Sequence, residues 1–254
     1  MFRYLRIAIL LTILVIVAGN QWLTGKRLGS WEKPLWITIY PVLLDSDADT
    51  RRYAGSLGAD SFRDISVFLK RQAARYDRRF ENPAVIQVAR PLTSLPPALP
   101  AENSGVKIAL WSLKMRWWAW RNGSQDGLIG EDVRMFVLYQ KGDSKGPLER
   151  SVGIKNGSYG LVNAVASQEK AARNRIVITH ELLHVLGASD KYDFLNGQPI
   201  VPAGIANPGQ SPLYPQVSAE IMAGRIAMSA SHWRYPASLK FCAIGAETAA
   251  EIGW

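Results

Sequence analysis

The chain has 254 residues, of which 48% are hydrophobic and 20% are charged, a composition that is typical of a globular protein and excludes global disorder. Its single cysteine, Cys242, excludes an internal disulfide and a thiolate zinc site, so any metal must bind histidine and carboxylate side chains. The net charge of +9 is spread along the chain, which favours contact with anionic lipid and predicts no nucleic-acid partner.

The N-terminal segment has the pattern of a membrane-targeting sequence. Arg3 and Arg6 precede an apolar run over residues 7–18, which continues less purely for several residues. We expect residues 1–24 to form a signal anchor in the cytoplasmic membrane that holds the rest of the chain outside it, in the periplasm or the extracellular space. Cleavage would instead give a secreted protein, but residues 17–19 match a signal-peptidase site poorly.

The remainder is predicted to be a short linker over residues 25–34 and a single domain over residues 35–254. We divide that domain into an N-terminal subdomain, 35–187, and a C-terminal subdomain, 188–254, because the second is rich in proline, glycine and asparagine.

Hydrophobic patterning predicts the elements of the domain. Strands are expected at 35–44, 84–89, 106–115, 133–140 and 159–166. Helices are expected at 62–76, with Ser61 and Asp64 as a capping box, and at 167–186, with an end at Gly187.

The predicted strand at 106–115 and the residues after it combine basic and aromatic side chains. Lys114, Arg116 and Arg121 alternate with the tryptophans at positions 111, 117, 118 and 120. Such interleaving can bind single-stranded nucleic acid. We favour the alternative that the tryptophans pack on the core or lie near the lipid interface.

The second predicted helix carries two histidines at a metal-binding spacing. His180 and His184 are four residues apart, so both imidazoles project from one face of a helix. Zinc binds neutral imidazole nitrogens at about 2.0–2.1 Å. Glu181 lies about 100° around the helix from His180, where it can reach a water molecule on the metal and act as general base. The rest of the helix is apolar, and burying these polar side chains is costly unless something binds there.

A third ligand is expected soon after the helix. Gly187 can end the helix abruptly and turn the chain back, so that Asp190 reaches the same ion. Asp193, Glu220 and His232 are the alternatives, and Glu220 would be the choice in a gluzincin-type site.

The run from His180 to Asp190 resembles the metzincin signature His-Glu-x-x-His-x-x-Gly-x-x-His/Asp, with aspartate as the third ligand as in the snapalysin-like branch. Met222, within residues 220–224, looks like the methionine turn of that family, a soft packing floor below the histidines. The resemblance implies an α+β fold with a mixed five-stranded sheet, a backing helix, an active-site helix and a small loop-rich C-terminal subdomain. It also implies that residues 133–140 form the edge strand lining the cleft, where a peptide adds as an extra strand.

The resemblance further implies a zinc-dependent endopeptidase acting on peptide or protein substrates, with Glu181 as general base. His232, Tyr214 and Tyr235 are candidate donors to the oxyanion of the tetrahedral intermediate. Two alternatives stay open: a zinc amidase acting on cell-wall peptides, and a non-catalytic, membrane-anchored binding module with a structural zinc. The second is disfavoured because a structural site fills its fourth position with a protein ligand.

Overall fold

The computed structural model describes residues 12, 19, 25, 27–98, 100, 104–123, 127–142, 152–154 and 158–254. All of the predicted anchor, 1–24, except Thr12 and Gly19 lies outside these residues. Within the described part of the chain, no helix is both long and apolar enough to cross a membrane. In the predicted linker, Leu28 and Trp31 are buried, and the Trp31 indole nitrogen donates to the Ile252 carbonyl at 2.6 Å.

A five-stranded sheet and two long helices organise the described residues. In chain order the elements are β1 (Leu35–Leu43), α1 (Ala48–Gly55), α2 (Arg63–Ala73), β2 (Ala84–Val88), α3 (Gly105–Asn122), β3 (Val133–Gln140), β4 (Val152–Ile154), β5 (Tyr159–Val165), α4 (Ala171–Leu186), the two-residue strands β6 (Ala219–Glu220), β7 (Ile226–Ala227), β8 (Trp233–Arg234) and β9 (Cys242–Ala243), and α5 (Ala246–Glu251). Short 3₁₀ turns lie at Ala59–Phe62, Ala74–Tyr76 and Leu239–Phe241.

The sheet has the strand order β2-β1-β3-β5-β4. The first four strands are parallel to their neighbours, whereas β4 pairs with β5 in the antiparallel direction at the edge. Parallel strands need helical crossovers, which cover both faces of the sheet and bury them. The prediction of a mixed sheet backed by helices is therefore confirmed.

Two hydrophobic clusters lie on opposite faces of the sheet, because neighbouring residues of a strand point in opposite directions. Ile39, Val137 and Val162 belong to the cluster that includes α2 and α4. Their neighbours on the other face, such as Phe136 and Leu161, belong to the cluster that includes α3. The strands thus separate α3 from the helix that carries the histidines.

The prediction of a strand at 106–115 is wrong, since these residues belong to the helix α3. The side chains of Trp111, Met115 and Trp118 are buried at helical spacing. Apolar residues on the exposed side of the same helix hid this period in the sequence. The fifth strand of the sheet is β4, at 152–154, which the patterning did not predict.

Three smaller predictions are also corrected. The strand at 133–140 has the predicted bounds, but it lies between β1 and β5 and not at the edge. Ser61 does not cap α2: its hydroxyl accepts from the backbone N–H of Gly58 at 3.2 Å, and Phe62 is the N-cap, without a side-chain hydrogen bond. The helix expected from residue 167 begins at Ala171, although it ends at Leu186 as predicted.

Candidate metal centre

The end of α4 reverses the chain within one turn. The backbone N–H of Gly187 donates to the His184 carbonyl at 3.0 Å, and that of Ala188 donates to Leu183 at 2.9 Å, the pair of bonds that defines a Schellman motif. Gly187 has a φ of 120°, which a residue with a Cβ adopts only under strain. The turn carries Asp190 back towards the helix face that bears the histidines.

Three potential ligand atoms converge beyond this turn. The Nε2 atoms of His180 and His184 are 3.1 Å apart, and each lies 3.2 Å from Oδ1 of Asp190. A tetrahedral ion with bonds of about 2.0–2.1 Å separates its ligands by about 3.3 Å. Among the described residues, these three form the cluster of histidine, cysteine and carboxylate side chains able to hold an ion together. The donor set therefore fits zinc in both size and chemistry.

Hydrogen bonds at Nδ1 orient the two imidazoles so that their Nε2 atoms face Oδ1 of Asp190. Nδ1 of His180 donates to the Ile221 carbonyl at 2.9 Å, and Nδ1 of His184 donates to Ala188 at 2.8 Å. Neutral rings bound in this way present the lone pair of Nε2. Oδ1 of Asp190 is buried and has no hydrogen-bond partner within the described ranges. Three acceptors thus face one another, an arrangement that a cation stabilises.

The electrostatics of the cluster also favour positive charge. Burial raises the pKa of Asp190, but contacts with His180 and His184 outweigh burial and hold that pKa well below its ordinary value. Burial lowers the pKa of His184, but contacts with Asp190 and the Ala188 carbonyl outweigh it, so this pKa is raised. A bound metal ion would supply positive charge at the same place.

A buried lysine fixes the loop that carries Asp190. The Nζ atom of Lys191 donates to Ser189 Oγ at 2.7 Å, to Glu247 Oε1 at 2.7 Å and to Glu251 Oε1 at 2.8 Å. Burial lowers the pKa of Lys191, but the two carboxylates outweigh it and raise the pKa overall. Glu251 also accepts from the Ser189 hydroxyl at 2.6 Å. The helix α5 therefore holds the loop on one side.

The turn around Met222 holds the site on the other side. Glu220 is fully buried, and its carboxylate accepts from the backbone N–H groups of Met222, Ala223 and Gly245 and from the Thr248 hydroxyl. The Met222 carbonyl accepts from the N–H of Lys191 at 3.1 Å. Together with the bond from His180 to Ile221, this contact links the turn to both the helix and the ligand loop.

The other three candidates for the third ligand do not belong to the cluster of His180, His184 and Asp190. The carboxylate of Glu220 is occupied by its four donors. Asp193 caps its own turn by accepting from the N–H of Leu195 at 2.8 Å and from the Asn196 amide at 2.9 Å. His232 is exposed. Of the four candidates, Asp190 is the one that lies with both histidines.

A cavity of about 210 Å³ opens beside the cluster, and His180 and Glu181 line it. Glu181 is 5% exposed, and its charge acts on His184. Among the three candidate oxyanion donors, Tyr235 lines this cavity, whereas Tyr214 and His232 are not in its wall.

Two arginines line the same cavity and were not predicted from the sequence. The guanidinium of Arg173 lies 4.8 Å from the ring centroid of Tyr235, and the guanidinium of Arg225 lies 4.6 Å from the ring centroid of Tyr192.

The role of Lys191 was also not predicted from the sequence. The glutamates at positions 247 and 251 are four residues apart, a spacing that places two carboxylates on one face of a helix and could have indicated a shared cation.

No model of a known protein family matches the chain, and no curated protein matches it significantly. Inferences about its activity therefore depend on the geometry of the cluster and on the chemistry of the side chains around it.

Proposed function

We propose that the chain is a zinc-dependent endopeptidase of the metzincin type, in which His180, His184 and Asp190 bind the metal and Glu181 is the general base. The observation that carries the proposal is the convergence of two imidazole nitrogens and one carboxylate oxygen within 3.1–3.2 Å, beside a glutamate in the wall of a cavity. The Schellman turn at Gly187 and the buried turn at Met222 agree with the family resemblance of the sequence.

The residues of the chain have distinct roles in this proposal. Zinc, when bound, lowers the pKa of water and polarises the scissile carbonyl. Glu181 accepts a proton from the attacking water and later donates it to the leaving nitrogen. The Nδ1 bonds to Ile221 and Ala188 orient both imidazoles so that their Nε2 atoms face the position of the metal. Tyr235, in the same cavity wall, is the candidate donor to the developing oxyanion.

In this proposal the substrate is a peptide, and the residues of the cavity wall determine which peptides the enzyme cleaves. Arg173 and Arg225 give that wall a positive charge, which favours a carboxylate on the bound peptide. A zinc amidase that acts on cell-wall peptides would share the same metal and base.

A purely structural zinc is the second alternative. Structural sites have four protein ligands. Within the described part of the chain, the cluster contains three groups, and Glu181 lies in the adjoining cavity. This ligand count favours an open catalytic site.

We also propose that residues 1–24 anchor the enzyme in the cytoplasmic membrane, with the domain on the extracytoplasmic side. The support for this location is the sequence pattern of Arg3 and Arg6 followed by an apolar run.

Substitution Glu181→Gln tests the mechanism, since it removes the base and keeps the shape of the side chain. We expect peptide hydrolysis to fall by about 10²–10⁴-fold, with zinc content unchanged by metal analysis. The matched control is Glu169→Gln, an exposed glutamate that pairs with Lys170 at 2.8 Å, which should leave both quantities unchanged.

Activity retained by the Glu181→Gln variant would refute the role of this residue. Zinc binding without cleavage of any member of a peptide library, together with loss of stability on chelation, would instead identify a structural site.

A further inference from the structure

The helix α3 exposes a continuous apolar stripe. Its members are between 54% and 71% exposed, and they are Val106, Leu110, Leu113, Trp117 and Trp120. The steps between them are alternately four and three residues, so all five lie on one side of the helix. Exposed apolar residues that occur singly are normal, but a stripe of this kind marks an interaction surface.

The opposite side of α3 is the one that belongs to the protein core. Trp111, Met115 and Trp118 pack against the sheet, and the Trp118 and Phe136 rings are 4.7 Å apart. The indole nitrogens of Trp111 and Trp118 donate to the Pro97 carbonyl and the Ser94 hydroxyl. Among the described residues, the core on this face of the sheet is therefore built from the opposite side of α3 and not from the stripe.

The charges on α3 are of one sign. The helix contains four basic residues and no acidic residue. Lys107, Lys114 and Arg121 are spaced by seven, which places them together along one flank of the stripe. The guanidinium of Arg121 lies 5.4 Å from the ring centroid of Trp117. An apolar stripe with tryptophans and a basic flank is the pattern of a helix that lies in the plane of a membrane interface.

We propose that α3 docks on an anionic lipid bilayer, with the stripe at the acyl boundary and the basic flank among the headgroups. The charge argues for lipid over a second copy of this chain: α3 has basic residues and no acidic residue, so two copies of the helix would repel each other, whereas its cations match anionic lipid. Tryptophan is enriched at this depth of a bilayer.

The position of α3 also fits this occupant. Because α3 and α4 lie on opposite faces of the sheet, docking directs the candidate metal centre away from the lipid. The proposal does not depend on the chemistry assigned to that centre.

A nitroxide at Leu113 tests the docking. The full chain with Cys242→Ala and Leu113→Cys is labelled and reconstituted into vesicles of mixed phosphatidylcholine and phosphatidylglycerol. We expect the label to be more accessible to oxygen, which concentrates in lipid, than to a water-soluble nickel chelate. The matched control is Val67→Cys, because Val67 is exposed on α2 across the sheet. Its label should show the reverse order of accessibility.

The basic flank has its own test. The double substitution Lys114→Gln and Arg121→Gln should lower the equilibrium constant for docking of α3 on the anionic bilayer by about 30-fold. The Leu113 label should therefore become more accessible to nickel. In vesicles of phosphatidylcholine alone, the two substitutions should have no effect.

Three results would overturn the proposal. A Leu113 label that is accessible to nickel in anionic vesicles would leave the stripe in water. Dipolar broadening between labels would identify a second copy as the occupant. Shielding from both reagents that does not depend on lipid charge would identify a protein segment instead.

Discussion

The helices α3 and α4 have similar lengths and similarly apolar sequences, but they differ in which side chains they bury and which they expose. α4 buries nine of its 16 residues, among them the polar Asn174, Thr179 and Glu181. α3 buries four of its 18 residues and exposes large apolar side chains. One helix thus directs polar groups inward, and the other directs apolar groups outward.

The apolar composition of a helix therefore does not show which function the helix has. Each helix departs from the usual distribution, and such departures are costly unless something outside the fold compensates for them. For α4 the proposed compensation is a metal ion and its reaction. For α3 it is a lipid surface. Three experiments test this comparison, and the largest effect on zinc affinity is expected at the candidate metal centre.

Asp190→Asn should have the largest effect, because it replaces a charged ligand by a neutral amide of the same shape. A four-ligand zinc site binds with about 10–16 kcal/mol, so one ligand contributes about 2.5–4 kcal/mol. Zinc affinity, measured by competition with a chromophoric chelator, should fall by about 10²–10³-fold. Asp193→Asn is the matched control and should leave the affinity unchanged, because this carboxylate caps a turn. An unchanged zinc affinity in the Asp190→Asn variant would mean that another residue is the third ligand.

Met115→Ala and Leu113→Ala compare the two sides of α3. Met115 is fully buried, so its truncation should lower the free energy of unfolding by about 2–5 kcal/mol. Leu113 is 65% exposed, and its truncation should change that free energy by less than about 0.5 kcal/mol. Denaturant titration measures both. Equal losses at the two positions would mean that the stripe is part of the folded core.

Lys191→Met should lower zinc affinity less than Asp190→Asn does, since Lys191 supports the ligand loop without touching the ligand cluster. We expect zinc affinity to fall by about 10–100-fold, as for other partners that orient ligands from outside. The control Lys170→Met removes an exposed lysine and should have no effect. A loss of stability without a change in zinc affinity would mean that Lys191 stabilises the fold but does not position the metal ligands.

The sequence predicted the parts of the molecule where one local pattern dominates. β3 has the predicted bounds because a short apolar run from Met135 to Tyr139 contains a β-branched residue and two aromatic residues. α4 ends at Leu186 because Gly187 is the residue that tolerates the required backbone. The histidine spacing of a helix then brings His180 and His184 together without any information from the rest of the fold.

The remaining features depend on contacts between distant residues. α3 was mistaken for a strand because the residues on both of its sides are apolar, so that no helical period was visible. Lys191 was overlooked because its partners lie 56 and 60 residues further along the chain. The carbonyl groups of Ile221 and Ala188, which orient the imidazoles, carry no side-chain signal at all.

The contact of Lys191 with α5 has a consequence for the synthesis of the protein. A nascent chain that has emerged as far as Gly245 already contains both histidines and Asp190, but Lys191 then lacks Glu247 and Glu251. The ligand loop gains its contacts with these two glutamates only when α5 docks. In a chain that is exported as proposed, this docking follows translocation. The site would then reach its full zinc affinity only in the compartment where the protein works.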